Sequence, residues 1–238
     1  MVSVSPCPHG YPGEACIVCK VRHISVCAAL SATELSALDE LAQHVRFSQR
    51  ETIFLQGADA DWVYNITGGV ARLYTLLPDG RRQIVGFALP GDFLGLAMGK
   101  THPFGADAIE QVSACRFSRT AFSLLIDRKP HLLRRLHEFA THELSLAQDQ
   151  MTLLGRRTAE EKVIMFLLGM RERWTRLGSA SVTVHLPMSR QDMADFLGLS
   201  LETVSRTLNR LAREKVIILV PDGVRITDLE RLIRPVAA

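Results

Sequence analysis

Residues 189–215 read SRQDMADFLGLSLETVSRTLNRLAREK, which patterns as two short helices joined by a tight turn. Ser189 stands where an N-cap belongs, and Asp192 three positions on makes a near capping box. Gly198 follows the first helix, where a left-handed residue commonly ends one. Ser200 caps the second helix, and acidic Glu202 falls in its first turn, where the helix dipole favours it. Met193, Leu197, Leu199, Val204, Leu208 and Leu211 supply an apolar face, with Arg206, Arg210 and Arg213 on the polar side. Glu202, Ser205 and Arg206 share one face at spacing i, i+3, i+4. They present an acceptor, a small hydroxyl and a forked cation, the groups that read base edges in a DNA major groove. After Lys215, VIILV, Pro221-Asp222-Gly223 and VRIT form a hairpin, the wing of a winged helix-turn-helix. A solvated arginine-rich helix in a plain helical domain is the competing reading, but it leaves the agreement of caps, turn and wing unexplained. The stretch therefore points to gene control.

Charge follows the same division. The chain has 238 residues, 47% of them hydrophobic, and a net charge of +3. Residues 156–238 carry 14 Lys+Arg against 10 Asp+Glu, a net of +4, so the rest, with 14 against 15, is at −1. The basic excess lies with the reading motif, as phosphate binding requires. The longest apolar run, Val163–Met170, is far short of the ~18 residues of a membrane helix. The start, MVSVSPCPHG, lacks the pattern of a secretory signal. A cytoplasmic location without membrane attachment is the expectation.

Upstream, the texture predicts an α+β fold. Residues 1–30 form a short cysteine- and proline-bearing segment. Thr33 opens a helical stretch, TELSALDELAQHV, with Leu35, Leu38 and Leu41 at helical spacing. From Phe47 to about Phe117, β-rich runs alternate with turns at Gln56-Gly57, Thr67-Gly68-Gly69, Pro78-Asp79-Gly80 and Pro90-Gly91-Asp92. That texture predicts an antiparallel β barrel or roll, placed in a domain spanning residues 31–130. Residues 131–157 follow as a long helix with two apolar stripes. One holds Leu133, Ala140, Leu144, Ala147, Met151 and Leu154; the other holds Leu132, Leu136, Phe139, Leu146 and Leu153. One stripe can pack on its own domain and the other on a second copy, while burial of the whole helix in one domain is the alternative. A dimer suits the reading motif, since a two-fold protein reads two half-sites. Thr158 and Glu161 form a capping box that starts the last domain, residues 158–238.

Five cysteines in a reducing compartment suit metal ligands or sensors better than disulfides. Cys16, Cys19 and Cys27 have spacing x2 and x7, compact enough to wrap one face of a metal or cluster. Cys7 and Cys115 are the remaining thiols for a fourth ligand. A 4Fe–4S cluster and zinc are both satisfied by four thiolates. Cys115 also reads as a small buried hydrophobe.

The chain resembles the CRP/FNR superfamily of dimeric bacterial transcription regulators along nearly its full length. The resemblance lies in GGVARLYTLLPDG, in PGDFLG, in the long helix followed by TAEEKV, and in the winged helix-turn-helix. Within that superfamily it looks like the oxygen-responsive FNR branch. LETVSR is similar to the branch's E-x-x-S-R signature, and the cysteine spacing is similar to its FnrN/FnrL variety. The resemblance implies an N-terminal β-roll of the cyclic-nucleotide-binding type, a long dimerisation helix and a C-terminal winged helix-turn-helix. It also implies an oxygen-labile 4Fe–4S cluster on Cys16, Cys19, Cys27 and Cys115, with Cys7 unassigned.

A target like TTGAT-N4-ATCAA is implied as well, controlling anaerobic or microaerobic genes when the cluster is intact. Arg206 would bond guanine, Glu202 would accept from a cytosine amine or a neighbouring base, and Ser205 would sit against thymine or adenine. Arg190, Thr203 and Arg210 would contact phosphates or remain solvated. Cluster loss would release the N-terminal segment and weaken the homodimer, and RNA polymerase would be a further partner. One departure matters: cyclic-nucleotide-binding members carry an Arg-Ser pair after the PGDFLG-like segment. Here MGKTHPFGADAIE has none, so the phosphate of cAMP or cGMP would lack compensation and no cyclic nucleotide is expected. The rival within the fold is a FixK-type regulator without a cluster, using the cysteines for zinc or thiol redox sensing. An enzyme is disfavoured, since dinucleotide, P-loop, nucleophile-elbow and HExxH motifs are all missing.

Overall fold

The computed structural model describes residues 3–4, 16, 18–95, 99–178 and 181–236. Cys7, with most of residues 1–17, and Leu96–Met98 of the PGDFLG neighbourhood lie outside them. The chain forms two compact units, Met1–Leu144 and Ser145–Ala238.

In the first unit, β1 (Ser3–Val4) precedes a 3-10 turn at Val26–Ala29 and helix α1 (Ala32–Leu41). Then come β2 (Gln43–Phe47), β3 (Thr52–Phe54), β4 (Trp62–Gly68), β5 (Ala71–Leu76), β6 (Arg82–Ala88), β7 (Phe93–Leu94), β8 (Gly105–Ala108) and β9 (Val112–Ser118). Helices α2 (Arg119–Arg128) and α3 (Pro130–Arg156) follow, and the boundary between units falls inside α3. The strands pair in two antiparallel sheets, β1-β2-β9-β4-β7 and β3-β8-β5-β6. Alternation along the strands then builds two apolar layers. Val45, Ile66, Val112 and Ala114 of the first sheet pack with Ala71, Ala106 and Ala108 of the second. On the opposite face of the same strands, Val63, Cys115 and Phe117 meet Leu35 and Leu38 of α1, Phe122 of α2, and Leu132 and Leu136 of α3. The register that turns Ala114 inward thus turns Cys115 into the layer under the helices.

Two sequence expectations are corrected here. The helix expected through Val45 ends at Leu41, and Gln43, His44 and Val45 pair with Arg116, Cys115 and Ala114 of β9. Val45 is 1% exposed there, and burial in the inter-sheet layer outweighs continuing the helical pattern. Second, the helix begins one residue earlier than expected, at Ala32, capped by Ser31, whose hydroxyl accepts from Glu34 N while the Glu34 carboxylate accepts from Ser31 N. Along α3, Leu132, Leu136 and Leu153 are buried, and Leu133, Leu144, Met151 and Leu154 are exposed. Leu146, on the same stripe as Leu132, Leu136 and Leu153, is exposed as well.

In the second unit, α4 (Ala159–Arg176) starts at the Thr158–Glu161 capping box, with both of its hydrogen bonds present. Strand β10 (Thr183–His185), helices α5 (Arg190–Leu197) and α6 (Leu201–Arg213), strands β11 (Ile217–Val220) and β12 (Gly223–Ile226), and helix α7 (Leu229–Ile233) complete it. The expected hairpin forms as β11–β12, and β10 adds a third strand to it, in the order β10-β12-β11. Gly223 is required by this third strand, because a Cβ there would stand 2.0 Å from the Val184 carbonyl oxygen.

Candidate functional site

The reading helix is positioned by its local chemistry. Asp192 accepts from Ser189 N at 3.1 Å and from the Ser189 hydroxyl at 2.7 Å, and Ser189 Oγ accepts in turn from Asp192 N at 3.0 Å. Gly198 has φ 62°, the left-handed value that lets the chain reverse within a few residues. Ser200 Oγ accepts from Thr203 N at 3.2 Å and opens α6. Val204, Leu208 and Leu211 are buried beside Met193 and Leu197, so the opposite face of α6 is turned outward. Glu202 and Arg206 lie exposed on that face with Ser205 half-buried between them. The Glu202 carboxyl is held below its usual range by its own backbone N–H, then by the Ser200 hydroxyl and the Arg206 charge. It is therefore an anion and an acceptor at neutral pH. Arg190 is exposed at the first position of α5. Thr203 is drawn into the cap, its hydroxyl 2.9 Å from Ser200 Oγ and 3.4 Å from Arg206 Nη2. Arg210 is paired with Glu160 of α4, Nη2 to Oε2 at 2.5 Å. A groove of about 860 Å³ lies between the start of α4 and α6, lined by Thr158, Glu160, Thr203, Arg206, Arg210 and Arg213 among others.

The cysteine site is in the helix-covered layer of the first unit. Cys16, Cys27 and Cys115 are buried in one apolar cluster, Cys19 is half-buried, and all four are thiols rather than disulfide partners. The Cys16 thiol is pushed well above its usual range by burial first, then by the Asp39 carboxylate and by Cys27 and Cys115. Cys27 is pushed up to about 11, mostly by burial, with Cys19 adding to the rise and the Ser25 hydroxyl opposing it. The Cys16 thiol thus feels Cys27 and Cys115, and the Cys27 thiol feels Cys19. The Cys16 thiol is 3.4 Å from Asp39 Oδ1, Asp39 Oδ1 is 3.4 Å from His44 Nε2, and His44 Nδ1 is 3.4 Å from Cys115 Sγ.

Sequence reading singled out none of Asp39, His44 and Glu160. His44 reaches Cys115 through strand pairing and Asp39 reaches Cys16 from helix α1, and nothing local marks either. Among the described residues, no three His, Cys, Asp or Glu donors stand in a metal-holding arrangement. The donor chemistry nevertheless fits a thiophilic centre. Cys16, Cys27 and Cys115 share one buried cluster and Cys19 is half-buried; as thiolates they would need cationic compensation, which iron or zinc would provide.

Comparison with known proteins bears on both units. Residues 161–234 match the Crp-like helix-turn-helix domain, and residues 44–129 match the cyclic nucleotide-binding domain. The transcriptional activatory protein AadR of Rhodopseudomonas palustris is 53% identical, over 94% of this chain and 97% of that protein. The nitrogen fixation regulation protein FixK of Bradyrhizobium diazoefficiens is 51% identical, over 92% and 93%. The transcriptional activator FnrL of Cereibacter sphaeroides is 36% identical, over 92% and 90%. Among solved structures, FixK2 from Bradyrhizobium japonicum superposes with a TM-score of 0.76 at 36% identity, covering 82% of this chain and 96% of that one. These relatives are transcription regulators, not enzymes, and among the described residues no helix is long and apolar enough to cross a membrane. With β-roll, long helix and winged reading motif in one order and relatives matched over nearly their whole length, the chain belongs to the CRP/FNR family of DNA-binding transcription regulators.

Proposed function

We propose that the protein is a homodimeric activator of the FixK and AadR kind, which reads a TTGAT-N4-ATCAA-like palindrome and receives its signal at the four thiols. The observation that carries the reading is the outward face of α6, where Glu202, Ser205 and Arg206 stand together over a buried apolar face. The exposed stripe of Leu133, Leu144, Met151 and Leu154 on α3 supports a second copy as its cover. RNA polymerase is the expected partner at the promoter. Greater similarity to AadR and FixK than to FnrL favours the FixK-type assignment, in which the cysteines hold zinc or act as redox-sensitive thiols.

The donor set supports a second reading, that Cys16, Cys19, Cys27 and Cys115 hold a 4Fe–4S cluster. Such a cluster would supply oxygen-labile positive charge among the thiolates. The chain's own part is to bring Cys115 on β9 against Cys16 and Cys27 and to exclude water with Leu35, Leu38 and Phe122. Anaerobic purification followed by absorption spectroscopy and iron, sulfide and zinc analysis separates the two. A colourless protein with zinc or intact thiols supports the FixK-type reading. A brown protein bleached by air, with iron and sulfide in equal amounts, supports the cluster.

A further inference from the structure

Arg210 was expected at a DNA phosphate, yet in the DNA-free protein its guanidinium already holds a carboxylate. Arg210 Nη2 and Glu160 Oε2 are 2.5 Å apart, with the side chains 44% and 33% exposed. Glu160 provides the one carboxylate among the residues lining the groove between α4 and α6, where Arg206, Arg210 and Arg213 gather. It is not needed to start α4. The cap is closed by Glu161, whose carboxylate accepts from Thr158 N at 2.7 Å and from Arg157 at 3.0 Å. The Glu160 carboxylate can therefore leave Arg210 without undoing the helix start.

We propose that Glu160 acts as an internal stand-in for a DNA phosphate, holding Arg210 on the groove and giving way when the duplex docks. The inference rests on the DNA-binding reading and adds a residue to it. A guanidinium accepts carboxylate and phosphate in the same forked geometry, so one oxyanion replaces the other without rebuilding the site. Docking then exchanges an ion pair for an ion pair, and Glu160 opposes binding both by holding Arg210 and by repelling the incoming phosphate. A phosphate carries no sequence information, so this opposition weighs equally on every sequence. Glu160 thus sets how tightly the protein holds DNA at large, while the Glu202–Ser205–Arg206 face sets which DNA it prefers.

The test is a double-mutant cycle with the full-length dimer, prepared anaerobically. Wild type, Glu160→Gln, Arg210→Ala and the double variant are titrated by fluorescence anisotropy against a TTGAT-N4-ATCAA duplex and a scrambled one. Thermal melts confirm that each is folded. Exposed pairs of this kind govern roughly a two- to fivefold change. Glu160→Gln should tighten binding by about that factor on both duplexes, leaving their ratio unchanged, and the gain should be clearly smaller in the Arg210→Ala background, where only the repulsion remains. Unchanged or weaker binding by Glu160→Gln would show that the pair persists on DNA or positions Arg210, and would overturn the proposal. So would an equal gain in both backgrounds, which marks repulsion without exchange. Failure of the DNA reading is seen separately, as a wild type that does not prefer the palindrome.

Discussion

Cys115 and His44 face each other across one rung of the β2–β9 ladder, with Cys115 Sγ 3.4 Å from His44 Nδ1. The other ring nitrogen reaches Asp39, which in turn meets the Cys16 thiol, so two cysteines far apart in sequence are joined through one imidazole and one carboxylate. Partners of this kind orient ligands, and losing one typically costs 10–100-fold in metal affinity. Cys115→Ser or Cys27→Ser should abolish retention of iron or zinc, and His44→Ala should weaken it by about tenfold with the thiols intact. Cys7→Ser should be tolerated. Metal content after gel filtration against a competing chelator checks all four, and a Cys115→Ser variant that keeps its metal while Cys7→Ser loses it would reverse the ligand assignment.

Arg206→Ala should cost about 1–3 kcal/mol on the palindrome and relax preference at the guanine it reads. Arg210→Ala should weaken palindromic and scrambled DNA alike and lower the salt slope by about one unit. Binding to both duplexes at several salt concentrations separates them. Equal losses on the two duplexes for Arg206→Ala would reduce that residue to a backbone contact.

The reading motif was legible because its signals are local. Ser189, Gly198 and Ser200 announce two helices and a turn within a dozen residues, and each behaves as its chemistry requires. The end of α1 was not legible, because Gln43–Val45 continue a helical pattern that only pairing with β9 overrides. Strand β10 escaped for the same reason, since its partner Gly223–Arg225 lies forty residues on. Within the thiol site, the spacing of Cys16, Cys19 and Cys27 was visible, whereas the nearness of Cys115 depends on sheet register. The Glu160–Arg210 pair joins two helices separated by the whole wing strand β10 and helix α5, and no sequence spacing encodes it.

The outward stripe of α3 predicts an assembly defect. Leu144 is 58% exposed and Met151 64%. Such side chains at helical spacing lose apolar contact when a partner helix departs, and charges placed there would be desolvated against it. Leu144→Asp combined with Met151→Glu should yield a folded monomer with little palindrome binding, measured by light scattering and anisotropy. A variant that stays dimeric at micromolar concentration would place the interface elsewhere.

Adding cAMP should change neither melting temperature nor DNA affinity. The stretch after Gly95 has no Arg-Ser pair, and the arginines of the neighbouring strands face a carboxylate: Arg72 and Arg82 lie 3.2 and 4.0 Å from Asp107. A ligand specific for the native state at 100 times its Kd adds about 2.7 kcal/mol. A rise of several degrees in melting temperature with cAMP would contradict the expectation.

Acid should loosen the first unit through Glu34. Its carboxylate receives Lys129 Nζ at 2.7 Å and Ser31 N at 2.9 Å, and lies 3.3 Å from His131 Nε2, tying α1 to the start of α3. The Lys129 hydrogen bond, followed by the Ser31 N–H, lowers its pKa from the usual 4.5 to about 2. A folded-state pKa below the unfolded one means that the stabilisation is fully present above about pH 4.5 and is lost as the pH falls towards 2. Glu34→Gln, which cannot ionise, should therefore be less stable than wild type at pH 7. The difference should shrink as the pH falls from 4.5 and disappear only below pH 2, where both side chains are neutral. Urea unfolding of the two proteins across this range measures it, and subtracting one curve from the other removes the contribution of every other carboxylate. A difference that stays constant from pH 7 to pH 3 would mean that Glu34 acts through its shape in the cap and not through its charge.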